Sequence, residues 1–261
     1  MPTQYTVIDS YAKYLHAKHR RACWRFEKRP HEAQLAEAIV FRVLQKCSAK
    51  PDLADQSGGP DFICADGRFM VEATAFTTHK VTSDSILPNE ISDEVRVQAY
   101  AHLTRQISEK AGKKHSQLAV GKPALLAIAS DHVGATLLFD TYAAACLITG
   151  EPFWTVASDE MSVNFTLSAF LRQGDGNEII TYNTGISAII LVAITHDASY
   201  VCGALHPKPD HPFDSRPLWE IPFIQCKDWP IGKKRIRLAW TMGTNPRPHK
   251  VDHGAIRVDS P

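Results

Sequence analysis

The chain has 261 residues, of which 44% are hydrophobic and 22% are charged, and its formal net charge is +1. This composition is typical of a folded globular protein, and the small net charge excludes binding of polyanions through overall charge alone. No apolar run is long enough to span a bilayer, and residues 1–21 lack the apolar core of a secretion signal.

The six cysteines are widely scattered and include no CxxC pair. This spacing argues against a disulfide framework and against a zinc ribbon, and it favours a reducing compartment. We therefore expect a cytoplasmic protein. The sequence also lacks a P-loop motif, an HExxH motif and a complete nucleophile elbow, which argues against those three kinds of enzyme.

Residues 8–28 are predicted to form a helix in which basic and aromatic side chains are interleaved. The basic residues on or beside it are Lys13, Lys18, Arg20, Arg21, Arg25, Lys28 and Arg29. One interpretation is a face that contacts phosphates, since Lys and Arg gain affinity by displacing counterions. The other is an amphipathic helix that packs through its aromatic side chains and leaves its basic side in water. We assign residues 1–29 to an N-terminal basic helical extension.

A second helix is predicted from Pro30 to Cys47, because proline suits the first turn and apolar residues recur at helical spacing. Glu32 falls on the apolar stripe of this helix. Glu37 points about 140° away from Glu32 at 100° per residue, so we expect Glu37 to face solvent. Glu32 could serve a site or merely favour the positive end of the helix dipole.

Residues 58–76 are predicted to form a β-hairpin, preceded by a short strand hidden in residues 48–58. Asp66 and Gly67 tolerate the positive φ of a two-residue type I′ turn. A turn at these residues places Phe62 opposite Val71, Ile63 opposite Met70 and, one step further, Asp61 opposite Glu72. This register decides which side chains share a face of the hairpin.

Asp61 and Glu72 would then lie side by side on one face of the hairpin. Two opposed carboxylates repel unless a cation lies between them, and their neighbours on that face are Ile63 and Met70 rather than Lys or Arg. Mg²⁺ favours carboxylate oxygens, so the pair predicts a divalent metal site. The alternative is that both carboxylates lie at a solvated strand end.

The run Pro60-Asp61, followed by Glu72-Ala73-Thr74, resembles the signature of the PD-(D/E)XK nuclease superfamily, which has the restriction-endonuclease-like fold. The resemblance implies that Asp61, Glu72 and the Ala73 carbonyl bind Mg²⁺ or Mn²⁺. Thr74 stands where the family has a lysine that positions or activates the attacking water, so the chain departs from the family there. A glutamate of the first core helix often enters the metal site in this family, which makes Glu32 the candidate.

Beyond a polar loop over residues 77–88, a long helix is predicted over residues 89–114. Lys110 and Lys114 continue its apolar stripe. A lysine in such a place usually extends its ammonium to water, but in the superfamily this helix sometimes supplies a catalytic residue. Lys110 is therefore our first candidate for the missing lysine, and Lys80 of the loop is the second. Glutamines that could also line the site are Gln98, Gln106 and Gln117.

Two apolar runs, Pro123–Ser130 and Ser187–Thr195, are predicted to be central strands covered by helices on both faces. A short helix is predicted over residues 137–149, and residues 150–180 are expected to form an inserted hairpin or loop. The order of elements resembles the α/β core of the restriction-endonuclease-like fold, a mixed central sheet flanked by helices. We assign residues 30–200 to this core.

Residues after Thr195 are predicted to be loop-like, and residues 201–261 are assigned to a Pro-rich C-terminal extension packed on the core or trailing from it. His206 and His211 have no standard zinc spacing. A second basic cluster could contact a phosphate backbone or could be solvated. Its members are Lys233, Lys234, Arg235, Arg237, Arg247 and Lys250, with Trp229 and Trp240 nearby.

The resemblance predicts a metal-dependent endonuclease that hydrolyses phosphodiester bonds, with DNA as the expected nucleic acid partner and no membrane partner. It also leaves a homodimer open, because dimers are common in the superfamily. A catalytically degenerate nucleic-acid-binding or structural protein of the same fold is the main alternative, and Thr74 favours it. A hydrolase of another phosphorylated substrate is a third possibility.

Overall fold

A computed structural model describes most of the chain. The described residues are 3–54, 59–76, 93–150, 160–162, 167–175, 178–228, 235–242, 246–254 and 256. None of the helices in these ranges combines the length and apolar character required for a membrane crossing. The predicted loop with Lys80 lies outside the described residues, as do Trp229, Lys233 and Lys234 of the second basic cluster.

The helices confirm the predicted elements with shifted ends. Those of the described residues are α1 (Gln4–Lys18), α2 (Arg20–Glu27), α3 (His31–Lys46), α4 (Asp93–Leu118), α5 (Val133–Leu138) and α6 (Thr141–Thr149). The single helix predicted over residues 8–28 is broken at His19, whose φ of −139° and ψ of 59° are not helical. The break ends α1 and begins α2, and the two helices contact each other and share one hydrophobic core.

The strands form one large mixed sheet and one small hairpin. The strands are β1 (Asp52–Leu53), β2 (Phe62–Cys64), β3 (Phe69–Ala75), β4 (Ala124–Ser130), β5 (Glu160–Ser162), β6 (Leu171–Gln173), β7 (Ile179–Thr181), β8 (Ala188–Ile194), β9 (Ala198–Leu205), β10 (Phe223–Asp228), β11 (Arg235–Trp240) and β12 (His249–Asp252). The sheet order is β1-β2-β3-β4-β8-β9-β10-β11-β5, and β12 pairs with β9. Strands β3, β4 and β8 are parallel, whereas β1, β2 and β3 form an antiparallel meander.

The predicted hairpin register is confirmed. Phe62 pairs with Val71, and Ile63 pairs with Met70. Asp66 and Gly67 have φ values of 56° and 88°, as a type I′ turn requires, and Ala65 is also left-handed at 48°. The turn thus sets which residues of β2 and β3 face each other.

Each central strand contributes to two cores, because successive side chains point to opposite faces of a sheet. On β4, Leu125 and Ala127 pack on the core beneath α1, α2 and α3. Leu126 and Ile128 pack on the core beneath α4 and α6. The protein is therefore α/β, with a mixed central sheet covered by helices on both faces.

The predicted extensions are parts of this one fold. In α1 and α2, Tyr11, Tyr14 and Phe26 are buried in the same core as α3. The predicted boundary at residue 200 lies inside β9, and the sheet continues to Asp252 through β10, β11 and β12. The prediction of a loop-like C-terminal region was wrong because small residues in β9, such as Gly203, hide its strand pattern.

Candidate functional site

A cleft of about 690 Å³ opens between α2, α3, α4 and the start of the hairpin. Three acidic side chains, Glu37, Asp61 and Glu72, lie on its inner side. Basic residues also line the cleft. They are His19, Arg20, Arg21, Arg25, Arg29 and Lys114. The cleft has the size of a ligand-binding site. It is lined by acidic and basic side chains that lie far apart in the sequence.

Asp61 and Glu72 lie next to each other at the open end of the hairpin, as the register predicts. Each carboxyl group perturbs the pKa of the other, as expected for neighbouring acids. Asp61 Oδ2 accepts the backbone N–H of Ala73 at 2.9 Å, which fixes its carboxylate beside β3. Glu72 is only 4% exposed. The two acids therefore share one nearly dry place instead of a solvated strand end.

Burial and mutual repulsion perturb both acids of this pair. Burial and the charge of Asp61 together raise the pKa of Glu72 to about 7, against the opposing effect of the Lys114 ammonium. Burial also raises the pKa of Asp61, although the Ala73 N–H and the charges of Arg29 and Lys114 act in the opposite direction. When two acidic groups are held close together, one of them tends to stay protonated unless a bound cation offsets their repulsion.

The prediction that Glu37 faces solvent was wrong, and Glu37 takes the place in the cleft that was predicted for Glu32. Glu37 is 6% exposed, and it accepts hydrogen bonds from the Tyr11 hydroxyl at 3.0 Å and from the Arg29 guanidinium. Glu32 is half-buried in the first turn of α3 and does not line the cleft. Periodicity failed here because residues 35–44 of α3 are all buried. The helix is covered on every side along this stretch, so its apolar stripe does not distinguish a buried side from a solvent side.

Burial and the nearby charge of Asp61 raise the pKa of Glu37 to about 7, against the opposing effects of Arg29 and Tyr11. Arg29 Nη2 also lies 3.9 Å from Asp61 Oδ1. The hairpin itself carries no cation on this face, but Arg29 brings one from the segment between α2 and α3. Arg29 therefore bridges two of the three acids of the cleft.

The lysine at the acids is Lys114, not the predicted Lys110. Lys114 Nζ donates to Glu72 Oε1 at 2.6 Å and to Gln117 Oε1 at 2.9 Å. Lys110 lies about one turn earlier on α4 and donates to the backbone carbonyl of Ala75. Periodicity placed both lysines on one stripe but did not indicate which turn of α4 lies beside Glu72.

Gln117 is the one predicted glutamine that lines the cleft. Its Nε2 donates to the Gly59 carbonyl at 3.0 Å and approaches Glu72 Oε2 at 3.4 Å. Gln98 is exposed and Gln106 is half-buried, and neither lines the cleft. Thr74 is half-buried on β3 and does not line it either.

Part of the predicted basic helix forms one side of the cleft. Arg21 and Arg25 are one turn apart on α2, so both lie on the same side of that helix. They are exposed, as are Arg20 and Arg29. Lys13 is exposed on α1 outside the cleft. Aromatic side chains hold this region to the core, as the second interpretation predicts, and its exposed arginines line the cleft. Contact with phosphates stays a prediction.

The other predicted groups lie elsewhere. Arg237 on β11 and Lys250 on β12 are outside the cleft. His206 is buried, its Nδ1 accepts the N–H of Lys208 at 3.0 Å, and its Nε2 donates to the Tyr182 carbonyl at 2.8 Å. Burial lowers the pKa of His206 to about 4. Both ring nitrogens have backbone partners, so His206 supports the loop and does not form a metal site with His211.

Comparisons of this chain with family models, curated proteins and solved structures give no match.

Proposed function

We propose that this protein is a metal-dependent nuclease that hydrolyses phosphodiester bonds, with DNA as its substrate. The observation that carries the proposal is the meeting of Asp61, Glu72 and Lys114 in a cleft whose other side is formed by arginines. Carboxylate oxygens coordinate divalent cations such as Mg²⁺, and guanidinium groups form paired hydrogen bonds with phosphate. The resemblance of the Asp61–Thr74 segment to the PD-(D/E)XK signature supports the same chemistry.

The acids of the cleft fit Mg²⁺ or Mn²⁺. Asp61 and Glu72 would hold the ion together with the Ala73 carbonyl, and Glu37 would act through a water. Burial, followed by the charge of Asp61, raises the pKa values of Glu37 and Glu72, and a divalent ion bound beside them would favour their deprotonated forms. When bound, a divalent ion lowers the pKa of a coordinated water and neutralises charge on the phosphate.

The remaining side chains would position the reacting groups. Lys114 would supply the positive charge that Thr74 lacks, and Gln117 holds its ammonium through a hydrogen bond of 2.9 Å. An ammonium fixed in a nearly dry site stabilises developing negative charge without having to reorganise. Arg21 and Arg25 would contact successive phosphates, which favours an extended polyanion over a small phosphorylated molecule. All six cysteines carry thiols rather than disulfides, which fits a cytoplasmic protein.

A catalytically degenerate nucleic-acid-binding protein is the second candidate. It is favoured by Thr74 and by the ion pairs that Arg29 and Lys114 already make with the acids. Such a protein would keep the arginine side of the cleft and bind nucleic acid without cutting it. The two candidates differ in whether binding of a divalent ion depends on Asp61 and Glu72.

The test compares wild type with Asp61→Asn and Glu72→Gln, which remove charge at nearly constant shape. Asp66→Asn is the matched control, because Asp66 lies on the same hairpin with a 76% exposed side chain. We expect Mn²⁺ binding by calorimetry and plasmid cleavage in wild type and Asp66→Asn, with both weakened or lost in the other two variants. Equal cleavage in all four proteins would reject the assignment. Nucleic acid binding without cleavage and without carboxylate-dependent Mn²⁺ binding would establish the second candidate.

A further inference from the structure

A second group of metal-binding side chains lies away from the cleft, where the end of α3 meets the C-terminal part of the sheet. Cys47 is the C-terminal cap of α3, Glu220 follows the 3₁₀ turn Arg216–Leu218, and His249 begins β12. One ligand atom from each lies within 4.8 Å of those of the other two. Among the described residues, no other group of three His, Cys, Asp or Glu side chains meets this distance.

The donor atoms match zinc better than the ion expected in the cleft. A thiolate and an imidazole are preferred by Zn²⁺, whereas Mg²⁺ prefers oxygen donors alone. Zinc bonds of about 2.0 to 2.3 Å in a tetrahedral site leave neighbouring donors about 3.3 to 3.6 Å apart. His249 Nε2 already lies 3.2 Å from Glu220 Oε2. The Cys47 sulfur lies within 4.8 Å of both atoms, so it would have to approach by no more than about 1.5 Å to complete the set.

The surroundings leave space for a fourth ligand. Cys47 is 3% exposed, whereas the side chains of His249 and Glu220 are 24% and 31% exposed. Cys47 therefore lies on the buried side of the three ligands, and solvent can approach from the side of His249 and Glu220. Three protein ligands and a water complete a tetrahedral zinc site.

We propose that Cys47, Glu220 and His249 bind a zinc ion that joins the end of α3 to β12. The three ligands are far apart in the chain, so the unfolded chain does not form this site, and binding stabilises the fold. The ion would secure α3, the helix that carries Glu37. The inference does not depend on nuclease activity, since none of these residues lines the cleft.

The test measures zinc affinity by competition with a chromophoric chelator. All proteins carry Asp61→Asn and Glu72→Gln, so that the cleft does not compete for the ion. We expect one zinc per chain with a Kd below about 1 μM, weakened about 100-fold or more by Cys47→Ser and by His249→Gln. The matched control is Cys146→Ser, another buried thiol at 1% exposure, which should keep the parent affinity.

Two further readouts separate ligation from a loss of structure. Co²⁺ in place of zinc should give a thiolate charge-transfer absorption that Cys47→Ser abolishes and Cys146→Ser retains. Zinc should raise the Tm of the parent protein but not of Glu220→Gln or His249→Gln, whose circular dichroism without zinc should equal that of the parent. Binding weaker than about 10 μM, or equal binding in the ligand variants, would overturn the proposal.

Discussion

Lys114 Nζ lies 2.6 Å from Glu72 Oε1, so the ammonium of the cleft comes from α4 and not from the strand that carries Thr74. The side chain of Lys114 is 29% exposed and that of Glu72 is 6% exposed, which places the contact at the inner end of the cleft. Gln117 fixes the lysine from the next turn of the same helix. In the proposed nuclease, Lys114 of α4 would thus provide the positive charge that Thr74 does not carry.

Replacement of Lys114 by methionine should abolish most of the catalytic activity. Methionine keeps an apolar stem but removes the charge that would stabilise the reacting groups, and loss of one such group costs about 10²-fold or more in rate. The measurement is single-turnover cleavage of a labelled duplex in Mg²⁺. The control is Lys110→Met, about one turn earlier, for which we expect a loss below about 10-fold. Similar losses in the two variants would contradict a special role for Lys114.

The contribution of Glu37 to the pH dependence of stability should be opposite in sign to that of a carboxylate whose pKa is lowered by folding. The pKa of Glu37 is about 7 in the folded protein and 4.5 in its ordinary state, so between these values the folded protein holds a proton that the unfolded chain has lost. This contribution to the free energy of unfolding should therefore fall as pH rises through this window and level off above it. Urea unfolding in EDTA measures this effect.

Glu37→Gln tests the assignment, because glutamine resembles the protonated acid. The variant should be more stable than wild type by about 1 to 3 kcal/mol near pH 8 and nearly equal to it near pH 5. The raised pKa of Glu72 acts in the same direction, whereas the lowered pKa of the buried His206 acts in the opposite direction, so the comparison with Glu37→Gln isolates the effect of Glu37. A stability difference between the two proteins that does not grow from pH 5 to pH 8 would be inconsistent with the raised pKa of Glu37.

The arginines of α2 should determine the salt dependence of DNA binding. Arg21→Ala and Arg25→Ala should each weaken binding to any sequence and reduce the slope of log affinity against log salt by about 0.9. The measurement is fluorescence anisotropy of a duplex with the inactive Asp61→Asn protein. Lys13→Ala removes the same charge from an exposed site outside the cleft and should leave the slope unchanged. An equal change in Lys13→Ala would mean that net charge alone governs binding.

Gly203 should be required for the packing of β9 against its neighbours. A Cβ at this position would lie 2.7 Å from the Ile189 carbonyl oxygen and 2.7 Å from Phe223 Cε1. Gly203→Ala should therefore lower the free energy of unfolding by about 1 to 3 kcal/mol. Thermal and urea unfolding measure this change.

Gly112→Ala is the matched control for that substitution. Gly112 lies within α4, and its added Cβ would meet the Tyr182 hydroxyl at 3.1 Å, where a side-chain end can shift. Alanine is favoured over glycine by about 0.5 to 1 kcal/mol inside a helix, so we expect no loss of stability. Destabilisation of both variants to the same extent would contradict the special crowding at Gly203.

The hairpin shows how much of the site the sequence determines by itself. The Asp66-Gly67 turn requires only local backbone dihedrals, and those dihedrals set the register that brings Asp61 beside Glu72. The apolar runs of β4 and β8 likewise predict buried central strands, and hence the layers of the fold. These features depend on residues that are close in the chain, so periodicity and turn chemistry are sufficient to predict them.

Tertiary packing decided the rest of the cleft. Glu37 is buried because α1 and α2 cover the side of α3 that periodicity assigned to solvent, and Lys114 meets Glu72 because of how far α4 is displaced along β3. Arg29 reaches Asp61 from another segment, and β9 to β12 complete the sheet from a region without a clear strand pattern. A local pattern determines the dihedral angles and the face of an element, but distances between remote elements depend on how their surfaces pack.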